Sequence, residues 1–179
     1  MHAAMRAGAV KFRYLHYHGR LTMPRIGLIS DTHGLLRPEA VAFLRGCDHI
    51  IHGGDIGKPQ ILEALAGLAP VTAVRGNNDK DAWAAHLPET ALLEIGGLQI
   101  YLLHDLAQLD IDPRRSGVRV VVSGHSHRAL VQERDGVLFI NPGSAGPRRF
   151  RLPITIAELL LDAGRVTPRI QDLSPQNPA

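Results

Sequence analysis

The segment RIGLISDTHGLLRPEAVAFLRGCDHIIHGGD, Arg25–Asp55, decides the fold. Arg25–Ser30 is a short, mostly apolar run and predicts a strand. Pro38–Arg45 predicts a helix with proline in the first turn, where its missing N–H is not needed. Asp48–His52 predicts a second strand. The pattern then repeats, with a helix over Pro59–Leu68 and a strand over Pro70–Arg75. This βαβαβ order implies a parallel sheet with right-handed crossovers.

Downstream the pattern changes. Thr90–Ile95, Leu98–Leu103, Val118–Ser123, Ala129–Glu133 and Val137–Ile140 are strand-like, with few helices between them. Glycine turns in EIGGLQ and ERDGV suit hairpins. Residues 154–160 and 165–170 predict a last pair around Asp162–Gly164, and the SPQNPA tail is expected to fray. The expectation is one compact α/β domain with two packed sheets over 23–179.

Composition narrows the function classes. Apolar residues make up 45% of 179, which is neither a disordered nor a membrane composition, and no apolar run nears a membrane span. The formal charge of +3 is uneven. Residues 1–22 hold Arg6, Lys11, Arg13 and Arg20 and no acid, so the remainder has 16 basic against 17 acidic residues, a net of −1. The basicity belongs to that segment, which argues against nucleic acid as a partner. Residues 1–22 are expected to be an extension, either disordered or the product of an upstream start with Met23 as the true beginning. Cys47 is the single cysteine, so no internal disulfide forms. It is read as a packed residue, and the chain as cytoplasmic.

Polar residues punctuate the strand ends. Asp31 and His33 follow the first strand, Asp55 the second, and Asn77 and Asp79 the third. His104 ends a later strand, and His125 and His127 end another. The gaps from 31 to 55, 77, 104 and 125 are 24, 22, 27 and 21 residues, about one strand plus its return connection each. That spacing brings all of them to one edge of the sheets, where open α/β folds bind ligands. Carboxylates, amides and imidazoles without a thiolate suit manganese, iron, cobalt, nickel or zinc. The set is too large for one tetrahedral ion and suits two ions sharing a carboxylate. Side chains at i and i+2 of an extended segment share a face, so Asp31/His33 and His125/His127 are each expected to point a pair inward. Each pattern alone has an ordinary explanation in capping, turns or surface histidines. Their joint order and spacing do not. His52 reads equally as a core histidine or as a partner behind the ligands, His49 and His86 as non-ligands, and Arg148 and Arg149 as phosphate-binding or merely solvated.

The series D-x-H, G-D, G-N-x-D, H and G-H-x-H, carried by GLISDTHG, IIHGGD, RGNND, HD and GHSH with INPGS, resembles the calcineurin-like metallophosphoesterases, in particular their small single-domain bacterial and archaeal phosphodiesterases. The resemblance covers about Met23 to Gly146. It implies a four-layer α/β/β/α sandwich of two mixed sheets flanked by helices, with a dinuclear centre. Asp31, His33 and His127 would hold one divalent ion and Asn77, His104 and His125 the other, with Asp55 bridging. Manganese comes first, with nickel, iron, cobalt or zinc as alternatives. Asp79 would support the site from behind, and Asn141–Ser144 would form a turn at its rim.

Two positions depart from the family pattern. Asn78 stands where a histidine is usual; an amide can hold a phosphoryl oxygen but has no useful pKa for proton transfer. Asp105 follows His104 where glycine is usual. The resemblance implies hydrolysis of a small phosphate ester by a hydroxide between the two ions, with Asn78 and Asp79 in catalytic positions. It leaves a homo-oligomer open. A non-catalytic scaffold of the same fold, as in retromer, and a nuclease are the alternatives.

Overall fold

The computed structural model describes residues 24–149 and 151–174, and the backbone of 12–14. The remainder of the 1–22 extension and the tail beyond Ser174 lie outside the described residues. The strands, in chain order, are β1 (Phe12–Tyr14), β2 (Arg25–Ile29), β3 (His49–His52), β4 (Val71–Ala73), β5 (Thr90–Ile95), β6 (Leu98–Leu103), β7 (Val120–Val122), β8 (Leu130–Arg134), β9 (Val137–Asn141), β10 (Thr155–Asp162) and β11 (Arg165–Asp172). Two α-helices, α1 (Pro38–Leu44) and α2 (Pro59–Ala66), alternate with β2, β3 and β4. Both begin at a proline.

One sheet has the order β11-β10-β2-β3-β4 and the other β1-β5-β6-β7-β9-β8. Strands β2, β3 and β4 run parallel, and β10 lies antiparallel to β2 on its free side. In the second sheet β6, β7 and β9 are parallel, while β5–β6 and β8–β9 are hairpins. The glycine turns work as the residues require. Gly96 and Gly97 both have positive φ, and so do Asp135 and Gly136, the type I′ signature of a two-residue hairpin.

Side-chain alternation builds the layers. Ile26 and Leu28 of β2, Leu93 of β5, Ile100 of β6, Val120 and Val122 of β7 and Leu159 of β10 meet between the sheets. The opposite face of the first sheet presents Ile29, Ile50 and Ile156 to Leu44 of α1 and to Ile61 and Leu65 of α2. Gly27 lies under α1 because any larger residue is excluded: a Cβ there would sit 2.3 Å from Leu44 Cδ2. Cys47 packs beside it, buried, and burial pushes its thiol pKa up. The outer face of the second sheet packs Tyr101, Leu103 and Val121 against Leu106, Leu109 and Ile111. This fourth layer is thin: among the described residues it holds the 3-10 turn Leu106–Gln108 and no α-helix.

All these layers put the C-terminal ends of β2, β3, β4, β6 and β7 on one rim. The loops that leave that rim carry the polar residues singled out above.

Candidate metal centre

The loop after β2 and the loop after β3 are joined along their backbones. Asp31 N–H donates to Gly54 O (3.0 Å), His33 N–H to Asp55 O (2.9 Å) and Gly34 N–H to Ile56 O (2.7 Å). The joint holds an unusual conformation. Asp31, His33 and Asp55 have φ of 54°, 44° and 54°, and in the loop after β7 His125 and His127 have 64° and 57°. The left-handed region costs a non-glycine residue on the order of 1 kcal/mol or more and concentrates at functional sites. The expectation that an extended backbone would aim Asp31/His33 and His125/His127 is therefore corrected. Each pair is aimed by two left-handed residues flanking a third, because a straight strand would carry the second member past the rim.

The side chains meet in two groups. In the first, Asp31, His33 and His127 have ligand atoms within 4.8 Å of one another. His33 Nε2 is 3.3 Å from His127 Nε2, and His127 Nε2 is 3.2 Å from Asp31 Oδ1. In the second, Asn77 Oδ1 is 3.0 Å from both His104 Nε2 and His125 Nδ1. Asp55 lies between the groups: its Oδ2 is 3.9 Å from His33 Nε2 and its Oδ1 3.5 Å from His104 Nε2. The structure brings all seven sequence-predicted ligands to this one place.

The donor set fits cations. Asp31 Oδ1 is fully buried and accepts no hydrogen bond, although Oδ2 of the same carboxylate takes one from Ser30 Oγ (2.6 Å) and one from His125 N–H (3.2 Å). His104 Nδ1 donates to the Gly53 carbonyl at 2.7 Å, which turns Nε2 toward Asn77 Oδ1 and Asp55 Oδ1. Electrostatics points the same way. Burial works to raise the Asp55 carboxyl, but hydrogen bonds from His104 and Asn78 outweigh it and hold the group far below the usual carboxylate range. Burial works to lower His104, but Asp55 and the Gly53 carbonyl raise it. His33 is lowered, chiefly by burial, with Arg149 adding to the effect.

Behind the ligands lies a polar frame. Asp79 is buried and accepts from Ile56 N–H (3.1 Å), Gly57 N–H (2.9 Å) and Gly76 N–H (2.9 Å), tying the loop after β3 to the loop after β4. His52, fully buried, takes the Gly54 N–H on Nδ1 (3.2 Å) and faces Thr32 Oγ1 with Nε2 (3.0 Å); Thr32 in turn donates to Ile56 O (3.0 Å). Burial pushes His52 down to about 4, so it is neutral. The sequence left His52 between core and support; these contacts make it support. Asn141 Nδ2 donates to Gly124 O (2.6 Å), and Ser144 Oγ donates to Asp31 O (3.0 Å), so the Asn141–Ser144 turn braces both ligand loops. Ser30, Thr32 and the Gly53 carbonyl were missed by the sequence reading. Hydroxyls flanking the first aspartate were the available signal.

Asn78 and Asp79 make their contacts with the two ligand loops. Asn78, expected on a phosphoryl oxygen, turns its side-chain amide onto Asp55 Oδ2 at 2.5 Å, and its backbone N–H onto Oδ1 at 2.8 Å. Asp79 touches backbone amides only, so it positions loops. Asp105 accepts from Ala107 N–H with Oδ1 and places Oδ2 4.0 Å from His125 Nε2. Arg148 donates to Leu152 O, and Arg149 lies exposed near His33.

The model of the calcineurin-like phosphoesterase superfamily domain matches residues 24–164. The chain belongs to that superfamily. It is 35% identical over 158 residues to a probable metallophosphoesterase of Methanothermobacter thermautotrophicus, covering 81% of this chain and 90% of the relative. A solved archaeal phosphodiesterase superposes with a TM-score of 0.71 at 26% identity, covering 83% of this chain and 99% of that one. Vps29 of Entamoeba histolytica, solved in complex with zinc, superposes with a TM-score of 0.58 at 26% identity over 83% of this chain and 98% of its own. The α/β architecture with two mixed sheets is that of these neighbours. The family is one of metal-binding phosphoesterases, and the ligand groups above are this chain's candidates for that role. Among the described residues no helix is long and apolar enough to cross a membrane.

Proposed function

We infer that this chain is a phosphodiesterase that holds two divalent ions, one at Asp31, His33 and His127 and one at Asn77, His104 and His125, with Asp55 shared. One observation carries the reading: the two oxygens of a single buried carboxylate, Asp55, face histidines of different groups. The ions would supply activation of a water near neutral pH and neutralisation of charge on the phosphoryl oxygens. Manganese is the ion proposed first, because mixed imidazole, carboxylate and amide donors without thiolate suit it.

The residues of the chain do the rest. His104 is held by the Gly53 carbonyl with its Nε2 toward the site. Asn78 donates to Asp55, and the second N–H of the same amide is a neutral donor for a phosphoryl oxygen. The Asn78 amide has no proton to give a departing alkoxide, so good leaving groups are favoured. The single cysteine supports a cytoplasmic setting.

Hydrolysis of bis(p-nitrophenyl) phosphate, with metal content measured alongside, tests this reading. Chelated protein is expected to be inactive and to recover with Mn²⁺ at two ions per chain. Absence of turnover with Mn²⁺, Ni²⁺, Co²⁺ and Zn²⁺ alike overturns it. Tight metal binding without turnover would favour the second reading, a metal-binding scaffold, which the likeness to zinc-bound Vps29 supports.

A further inference from the structure

A groove of about 480 Å³ continues the second ligand group sideways, from Asn77, His104 and His125 to Thr90 and Gln108. We propose that it takes one alcohol arm of the diester, and that this arm is an uncharged, hydroxyl-rich alcohol such as glycerol or a sugar. The proposal rests on the phosphodiesterase reading and narrows its substrate.

The lining excludes the two common alternatives. A nucleobase arm needs a flat apolar face, and stacking on an aromatic ring contributes roughly 1–3 kcal/mol per base. No Phe, Tyr or Trp lines this groove, and Leu103 is its one large apolar side chain. A second phosphate or a carboxylate arm needs surplus positive charge. Here the lining holds Asp79, Glu89, Asp105 and Asp110 against Arg75 and Lys80. Arg75 is already committed to Glu89 at 2.5 Å, so Lys80 alone is left to meet an anion.

What remains suits hydroxyls. Asp110 Oδ1 receives the Tyr101 hydroxyl at 3.2 Å and its second oxygen stays an acceptor, while Asp105 receives Ala107 N–H on Oδ1 at 3.0 Å and turns Oδ2 toward His125. Lys80 donates, the Gln108 amide does both, and the Thr90 hydroxyl, which already donates to Tyr101, accepts. A polyol hydroxyl, which is both donor and acceptor, can pair with every one of them. Hydrolysis of such a diester consumes one water. The phosphorus–oxygen bond to one arm breaks and the water oxygen takes its place. One water proton goes to the released alcohol, and the other stays with the monoester or passes to solvent.

The test compares kcat/KM of the Mn²⁺-loaded full chain for glycerophosphoglycerol and for the dinucleotide adenylyl-adenosine, with bis(p-nitrophenyl) phosphate as the reference diester. Glycerophosphoglycerol is expected to exceed the dinucleotide by about 10-fold or more, the scale of one well-made hydrogen bond. Gln108→Leu, at an exposed position outside the ligand groups, should cut that ratio severalfold. Parity, or preference for the dinucleotide, overturns the proposal while hydrolysis of the reference ester leaves the phosphodiesterase reading standing. If the reference ester is not hydrolysed, titration of metal-free protein decides: glycerophosphoglycerol is expected to shift the amide resonances of Lys80, Thr90 and Gln108, and adenosine monophosphate is not. Shifts with the nucleotide only would overturn the groove assignment independently.

Discussion

His33 Nε2 and His127 Nε2 lie 3.3 Å apart, with Asp31 Oδ1 3.2 Å from the latter and accepting no hydrogen bond. No arrangement of protons serves two facing imidazole nitrogens and a buried carboxylate oxygen as well as one cation does. Metal should therefore stabilise the fold. At a free concentration of 1,000 times Kd the gain is about 4 kcal/mol, which in a chain of this size raises Tm by roughly 10 °C. Thermal melts with Mn²⁺ and with chelator check this. Superimposable melts would count against a metal at this pair.

The Asp55 side chain faces both groups, whereas the imidazoles of His127 and His125 face one each. Asp55→Ala is expected to lose both ions and His127→Ala one, as read by metal analysis after dialysis. One ion still tightly held in Asp55→Ala would remove the bridging role.

Asp105 Oδ2 stands 4.0 Å from His125 Nε2, on the far side of the ring from Asn77. A carboxylate behind a metal-binding imidazole fixes its orientation and raises its basicity, typically contributing 10–100-fold in metal affinity. Asp105→Ala should weaken one of the two binding events by about 10-fold and leave the other unchanged. Titration calorimetry separates them, and identical isotherms would return Asp105 to a capping role for the turn Leu106–Gln108.

His52 gives a pH signature. Its folded pKa is about 4, below the ordinary 6.5. The unfolded chain thus binds the proton more readily, and the associated stability is complete above pH 6.5 and lost as pH falls toward 4. The full loss is on the order of 3 kcal/mol. His33, also depressed, acts in the same sense, while the raised His104 contributes stability that is lost as pH rises above 6.5. Denaturant melts of metal-free wild type and His52→Gln between pH 4.5 and 7.5 isolate the His52 share. Parallel stability profiles for the two proteins would refute it.

Gly76 offers a steric test. A Cβ there would meet Asp55 N at 2.1 Å and Asp55 Oδ1 at 2.2 Å, and neither the backbone nor the tied carboxylate can yield. Gly76→Ala should destabilise by about 2 kcal/mol or more and displace Asp55, so that metal affinity falls with stability. A stable variant with wild-type metal content would show that this loop tolerates a shift the geometry forbids.

Much of the molecule was legible in order. Apolar runs, prolines opening helices and paired glycine turns marked β2 to β9 with small end errors, since alternation and turn chemistry are local. The meeting of the seven candidate ligands at one rim was legible because metal-type donors sit about one strand-and-return apart. The left-handed backbone at Asp31, His33, Asp55, His125 and His127 was not, because those residue types carry no such preference strongly; the conformation is held by bonds such as His33 N–H to Asp55 O. The turning of Asn78 onto Asp55 was also hidden, since it depends on a partner 23 residues away.

By itself, the sequence determined the alternating βαβ half, the hairpin half and the chemical kind of every donor at the rim, because these follow from local periodicity and side-chain type. Only the tertiary structure decided which imidazole nitrogen faces inward, that Asp55 lies between two groups, and that a polar groove lacking Phe, Tyr and Trp adjoins them. Those are relations between loops distant in the chain, and packing of the two sheets is what brings them within bonding distance.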